Sequence, residues 1–256
     1  MYYNSNALYD YIKQNNIGNF EFVSGNMWQL VYGDTHCNPI LLVLVSAVKQ
    51  QNLFSALSQQ ESNAFRRLQQ IGQLRNIPVL FIRFAVDIDS IDSVVILESN
   101  NLKSVTMIEL TSLFAQYGLP INEGRSIETT KYLNTKTSSA YHTWQRATLG
   151  NGLKVSDIDL FRINPFDKSI ITVYELKRSF IDLNDWQPYV VDYNNFKLLS
   201  NLFNPLGIDF KIVYNVRHKN PWRDDISNLK LFSVASQSHQ LISFDKYQTL
   251  NEFITG

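Results

Sequence analysis

Two periods of apolar and polar positions alternate along this chain, and together they predict an order of helices and strands. Residues 5–15 carry apolar side chains at helical spacing. Phe20–Val23 and Met27–Tyr32 read as strands joined at Ser24-Gly25. Pro39–Val48 is a continuous apolar run, the pattern of a strand buried on both faces. A long helix is expected over 54–74, where Phe65, Leu68, Ile71 and Leu74 recur on one stripe. Strands at Pro78–Phe84 and Ser93–Leu97 and a helix from Glu109 to Tyr117 complete the first half.

Gly118, Pro120, Asn122 and Gly124 then cluster, so the chain is expected to divide into domains 1–122 and 123–256. The second half repeats the order of the first. A helix is expected at 138–147, a strand at 155–163, a turn at Asn164–Lys168 and a strand at Ile170–Leu176. A helix over 189–203 places Tyr189, Tyr193, Phe196, Leu199 and Phe203 on one stripe, with Pro188 near its start. Strands at Ile208–Val216 and Leu229–Val234 and a helix at 245–254 follow. Val45-Ser46-Ala47-Val48-Lys49 can be laid over Val173-Tyr174-Glu175-Leu176-Lys177, which suggests an internal duplication. Shared α/β patterning alone gives the same impression.

Composition adds limits. The chain has 256 residues, 45% apolar and 18% charged, which suits an ordinary globular protein. Its 23 basic and 23 acidic side chains cancel, so a nucleic-acid partner requires a local basic patch. Cys37 is the one cysteine, which excludes an intrachain disulfide and a thiolate zinc site. The start of the chain has no basic segment followed by an apolar one, and Ile40–Val45 is far too short to span a membrane. A cytoplasmic protein without a membrane partner is expected. The sequence has no phosphate-cradling glycine loop, no G-x-S-x-G elbow and no histidine spacing that resembles a zinc site.

Candidate chemistry gathers in Ser156-Asp157-Ile158-Asp159-Leu160 and Tyr174-Glu175-Leu176-Lys177. Strand side chains alternate faces, so Asp157 and Asp159 share one face of the first strand, and Glu175 and Lys177 share one face of the second. Folding the hairpin about Phe166 sets residue 157 opposite 175 and 159 opposite 173. Carboxylates suit Mg²⁺, which binds through one or two of them and keeps several waters. A neighbouring ammonium orients water or meets charge developing on a phosphate.

A strand Asp, a hairpin, then Glu-x-Lys before a helix resembles the PD-(D/E)XK, or restriction-endonuclease-like, nuclease superfamily. The likeness rests on Ile158-Asp159-Leu160 and Glu175-Leu176-Lys177 within roughly 138–216, about a third of the chain. It implies an α/β fold with a mixed central sheet flanked by helices, in two tandem copies if the duplication holds. It also implies a Mg²⁺ cofactor, with Mn²⁺ able to substitute. DNA is the expected substrate, RNA remains open, and a homodimer would suit cutting of both strands. By resemblance, Asp159 or Asp157 and Glu175 ligate metal, and Lys177 positions water. The proline that often precedes the Asp is absent, with Ser156 before Asp157. The helix that often supplies a further Glu offers His142, Gln145 and Arg146, with Glu128 upstream.

A second match, Asp192 with Asp209-Phe210-Lys211, is set aside because Asp192 falls on an expected helix. In the first half Ala47 falls where Glu175 stands and Gln29 near Asp159, so that copy is expected to be catalytically degenerate. Nucleic-acid contacts are expected from Arg178, from Arg217, Lys219 and Arg223 in a loop after a strand, and from His142 and Arg146. The 16 Phe and 13 Tyr are expected to be mostly core and not a base-stacking platform. The reading is a metal-dependent DNA endonuclease. The alternative is a non-catalytic nucleic-acid-binding or assembly module on the same fold.

Overall fold

The computed structural model describes residues 6–23, 25–88, 90–121, 139–150, 152–235 and 240–256. The chain forms two compact units, each a mixed six-stranded sheet flanked by helices. The first unit spans Val23–Asp157, and the second joins Ser5–Phe22 to Ile158–Gly256. The expected division at 122/123 therefore falls inside the first unit rather than between the two.

The chain begins with α1 (Ala7–Gln14) and β1 (Phe20–Glu21), both part of the second unit. β2 (Met27–Gly33) and β3 (Pro39–Val48) then form an antiparallel pair in the first unit. The helix α2 (Gln59–Arg75) crosses over to β4 (Val79–Ala85), which lies parallel to β3. Antiparallel β5 (Ser93–Glu98) and β6 (Asn101–Thr106) and helix α3 (Met107–Gln116) follow.

After α4 (Ala140–Thr148) and β7 (Lys154–Asp157), the chain builds the second sheet from β8 (Leu160–Ile163) and β9 (Ile170–Ser179). Helix α5 (Tyr193–Phe203) leads to β10 (Asp209–Lys219), parallel to β9. β11 (Trp222–Val234), β12 (Ile242–Thr249) and α6 (Leu250–Thr255) complete the unit.

Among the described residues, one order of α-helices and strands thus occurs twice. It runs α1-β1-β2-β3-α2-β4-β5-β6-α3 and then α4-β7-β8-β9-α5-β10-β11-β12-α6. The sheet orders β7-β2-β3-β4-β5-β6 and β1-β8-β9-β10-β11-β12 correspond strand for strand. The first helix and strand of each repeat belong to the unit built by the other: β1 pairs with β8, and β7 with β2. This exchange explains two departures from expectation. Phe20–Val23 makes no hairpin with β2. The run 155–163 is not one strand, because the chain leaves one sheet after Asp157 and joins the other at Leu160.

Two edge strands, β6 and β12, run counter to the sequence pattern. Both are polar and largely exposed, so they lack the apolar alternation that marks a half-buried strand. The helix expected at 245–254 is strand as far as Thr249. The capping box of Thr249 with Glu252 marks its true start, as Thr106 with Glu109 marks that of α3.

β3 is buried on both faces, as its composition predicts. Leu41, Val43, Val45 and Ala47 join a core with Leu80, Ile82 and Phe84 of β4, Leu110 and Phe114 of α3 and Tyr141 of α4. The other face meets α2, with Phe65 edge-on to Phe81 at 5.7 Å between ring centroids. Ser46 and Arg83 share that face and both bond to Glu61 of α2. No helix among the described residues is long and apolar enough to cross a membrane.

Candidate metal and phosphate site

β8 and β9 pair with Leu160 opposite Tyr174 and Phe161 opposite Val173. Carried back one residue, this register sets Asp159 opposite Glu175. The hairpin is displaced by two residues from the expected pairing of 157 with 175. An even displacement leaves every side chain on its expected face, whereas a slip of one would have reversed them. Asp159, Glu175 and Lys177 therefore share the face toward α5, where Phe161 meets Phe203. Asp159 is fixed at both ends: its Oδ2 accepts from Leu176 N at 2.7 Å, and its carbonyl accepts from Tyr9 Oη at 2.8 Å.

Asp157 is corrected as a member of this cluster. It is exposed at the end of β7, opposite Leu30 in the first unit. Because the chain changes sheets at Ile158, residues two apart in sequence belong to different units.

Lys177 pairs with two carboxylates. Its Nζ is 2.9 Å from Glu175 Oε1 and 3.4 Å from Asp192 Oδ2, and 5.5 Å from the ring centroid of Phe196. Burial alone would lower its pKa. The charges of Glu175 and Asp192, the hydrogen bond to Glu175 and the charge of Asp159 outweigh burial and hold it above its ordinary value. Lys177 is accordingly a fixed cation at neutral pH and not a proton acceptor. The side chain of Glu175 is 7% exposed against 24% for Lys177, so the cluster opens to solvent on the lysine side.

Asp192 is the member that sequence reasoning set aside. It occupies the N-cap position of α5 yet makes no side-chain capping bond, and its carboxylate turns to Lys177 instead. Its place at a helix start just after a Glu-x-Lys strand is the available signal. The segment between β9 and α5 is anchored beneath it. Trp186 stacks on Tyr214 at 4.1 Å, and Lys230 Nζ donates to the carbonyls of Asn184 and Trp186 at 2.7 and 2.9 Å. Residues 185–189 thus leave a turn at Asp185 and run without helix to Tyr189, rather than starting a helix, and α5 begins at Tyr193.

The first unit differs at the equivalent place. β3 and β9 are both ten residues long, and only an odd offset puts their helix-facing sides together. Matching their ends sets Leu44 at the place of Glu175 and Ser46 at that of Lys177. The overlay of Ala47 on Glu175 has the wrong parity, since Ala47 faces the α3 and α4 core. Gln29, opposite Leu44, does take the place of Asp159. The space is closed by the buried pair Arg83–Glu61 at 2.9 Å.

The expected nucleic-acid contacts separate into three groups. His142 and Arg146 lie on α4 in the first unit, whereas the cluster belongs to the second. Burial drives the His142 pKa down to about 4, with Arg146 adding to the fall and Asp157 opposing it, so the ring is neutral at pH 7. It packs edge-on to Trp28 at 4.9 Å and bonds through Nδ1 to Ser139, the contacts of a structural residue. Arg178 and Arg217 both pair with Asp224, the second at 2.8 Å. Residues 217–223 are the tip of the β10–β11 hairpin rather than a loop, with Lys219 opposite Trp222 and His218 opposite Arg223. Lys219 and Arg223 are exposed there. Glu128 lies outside the described residues.

Among the described residues no three or more His, Cys, Asp and Glu side chains gather as a metal-binding group. Asp159 and Glu175 are of the donor type that Mg²⁺ takes, since it binds through one or two carboxylates and keeps several waters; they flank the paired residues Leu160 and Tyr174, one before and one after.

No family model matches the chain, and no curated protein matches it. A solved structure, the C-terminal domain of the sex pheromone staph-cAM373 precursor from Staphylococcus aureus, aligns at 12% identity over 86% of this chain and 70% of its own. Its TM-score of 0.16 is too low to carry any argument about fold or function.

Proposed function

We propose that the second unit is a restriction-endonuclease-like core and that the protein is a divalent-metal-dependent nuclease, acting on DNA as an endonuclease. The observation that carries this reading is the pairing of Lys177 with both Glu175 and Asp192, beside Asp159, whose carboxylate accepts from Leu176 N, between Glu175 and Lys177 in sequence. The order of a strand Asp, a hairpin, Glu-x-Lys, a helix and a parallel strand supports it.

Asp159 and Glu175 are the residues that would hold Mg²⁺ or Mn²⁺. The ion supplies an activated water and neutralises charge on the phosphate when bound. Lys177 contributes a permanent positive charge that orients water or meets charge growing on a phosphate oxygen. Asp192 is a positioning residue. It would keep Lys177 paired if Glu175 held the ion, and so hold the ammonium on the open side of the cluster. We read the first unit as a degenerate copy from a tandem duplication, because Leu44, Ser46 and the Arg83–Glu61 pair leave it no such set. A homodimer would suit cleavage of both strands.

A second reading, a non-catalytic nucleic-acid-binding or assembly module, has one observation in its favour. Lys177 already satisfies two carboxylates without an ion, as a purely structural cluster would. Cleavage of supercoiled plasmid and of single-stranded DNA with Mg²⁺ or Mn²⁺ separates the two. The nuclease reading requires metal-dependent cutting that Glu175→Ala and Lys177→Ala both abolish. Folded wild type that cuts neither substrate would leave the binding module.

A further inference from the structure

Beyond the carboxylate cluster the sheet carries a projecting tip. β9 and β10 pair as far as Ser179 opposite Val216, whereas β10 and β11 stay paired up to Lys219 opposite Trp222. At this tip Trp222 is 69% exposed, and Phe180, three residues beyond Lys177, is 45% exposed. Trp28 and Trp186 are buried, whereas Trp222 and Phe180 form an exposed aromatic pair.

The two exposed rings hold each other in place. Their centroids lie 5.3 Å apart at an interplanar angle of 81°. Cations bracket the pair, with Lys219 Nζ 4.7 Å from the Phe180 centroid and the Arg217 guanidinium 5.9 Å from that of Trp222. Arg223 is exposed beside Trp222. Asp224 answers Arg178 and Arg217 and Asp225 faces His218, which leaves Lys219 and Arg223 as the outward charges of the tip. A ring held rigid, open to solvent and ringed by positive charge is complementary to a nucleobase and its flanking phosphates. In a duplex the base faces are already stacked on one another. A strand that is single or locally unpaired has faces to offer.

We propose that Trp222 and Phe180 form a base-stacking platform for single-stranded or unpaired nucleic acid, with Lys219 and Arg223 meeting its phosphates. The proposal deepens the nuclease reading by naming the strand form it takes, and it rests on that reading only for what happens to the strand afterwards. Counted along β9, Phe180 falls on the face opposite Glu175 and Lys177, so the platform is a separate site from the cluster on the same sheet.

The test is binding by the full chain in EDTA, measured as anisotropy of labelled oligo-deoxythymidylate and of a blunt duplex of the same length. Tighter binding of the single strand is expected. Trp222→Ala should weaken it by about tenfold or more, and Trp222→Phe by much less. Lys219→Ser with Arg223→Ser should flatten the salt dependence by about two phosphate contacts. Equal affinity in Trp222→Ala and wild type, preference for duplex, or no binding of either would overturn the proposal. Trp222-dependent binding without metal-dependent cutting of any substrate would support the platform and sink the nuclease reading. Cutting and single-strand binding that are both indifferent to Trp222→Ala would sink the platform alone.

Discussion

Replacing Arg83 by methionine removes the group that closes the first unit's equivalent of the candidate site. Arg83 is 1% exposed and Glu61 3%. Its Nε and Nη2 donate to the Glu61 carboxylate at 3.1 and 2.9 Å, and its Nη1 donates to the carbonyls of Leu53 and Ser55 at 3.0 and 2.7 Å. The carbonyls belong to partly exposed or exposed residues, so water replaces those bonds. Glu61 is different. It keeps Ser46, Ser58 and the Ser58 N–H as donors but loses its counter-charge in the interior. Breaking a buried pair from one side costs about 3–5 kcal/mol, and we expect Arg83→Met to fall in that range. Burial alone would raise the Glu61 carboxyl, and Arg83 with the serine donors reverses this to hold it below its ordinary value. In wild type the group therefore contributes stability above its unfolded pKa that is lost as pH falls through the folded one. Arg83 is the largest of the causes that lower this carboxyl, so its pKa should rise in Arg83→Met, and the penalty should shrink as pH falls through it and Glu61 takes up a proton. Adding Glu61→Gln, which removes the charge and keeps the cap acceptor, should restore at least half of the loss. Urea unfolding followed by circular dichroism reads all three variants. A loss under about 1 kcal/mol in Arg83→Met, or a double variant no more stable than the single, would refute the reasoning.

Two further outcomes follow from the first unit. The depressed pKa of His142, about 4, lies below its unfolded value, so its contribution is complete above about pH 6.5 and is lost as pH falls toward 4. Imidazole titration by NMR should find His142 protonating near 4, and a midpoint near 6.5 would show an open, solvated ring. Gly72→Ala should destabilise by about 1–3 kcal/mol, since the added Cβ would lie 2.4 Å from Val79 Cγ2 and 2.6 Å from the Ile77 carbonyl oxygen. Thermal melting checks it, and an unchanged midpoint would mean that the turn between α2 and β4 yields freely.

Legibility in the sequence tracks how strongly one period dominates a segment. Pro39–Val48 is apolar throughout and forms β3 with those same ends. Helix α5 shows in its apolar stripe, although the segment before it displaces its start. Edge strands β6 and β12 are hidden because exposure at positions of both faces removes the alternation. The faces of the Asp159, Glu175 and Lys177 side chains are legible because the pleat has period two, which an error of two residues leaves intact. The exclusion of Asp157 is not legible. It depends on the exchange of an opening helix and strand between repeats, and no local pattern signals that a chain will change sheets between Asp157 and Leu160. The role of Asp192 is hidden for a related reason. Its contact with Lys177 arises from the crossover between parallel strands, not from spacing along one element.

The central claim is that Asp159 and Glu175 hold a divalent ion beside Lys177 while Asp157 does not take part. Calorimetric titration of Mn²⁺ into wild type, Asp159→Asn, Glu175→Gln and Asp157→Asn tests it without relying on a substrate. The account predicts one site in wild type that is lost in Asp159→Asn and Glu175→Gln and kept in Asp157→Asn. No binding to wild type, or a site that depends on Asp157 and survives the other two substitutions, would contradict it.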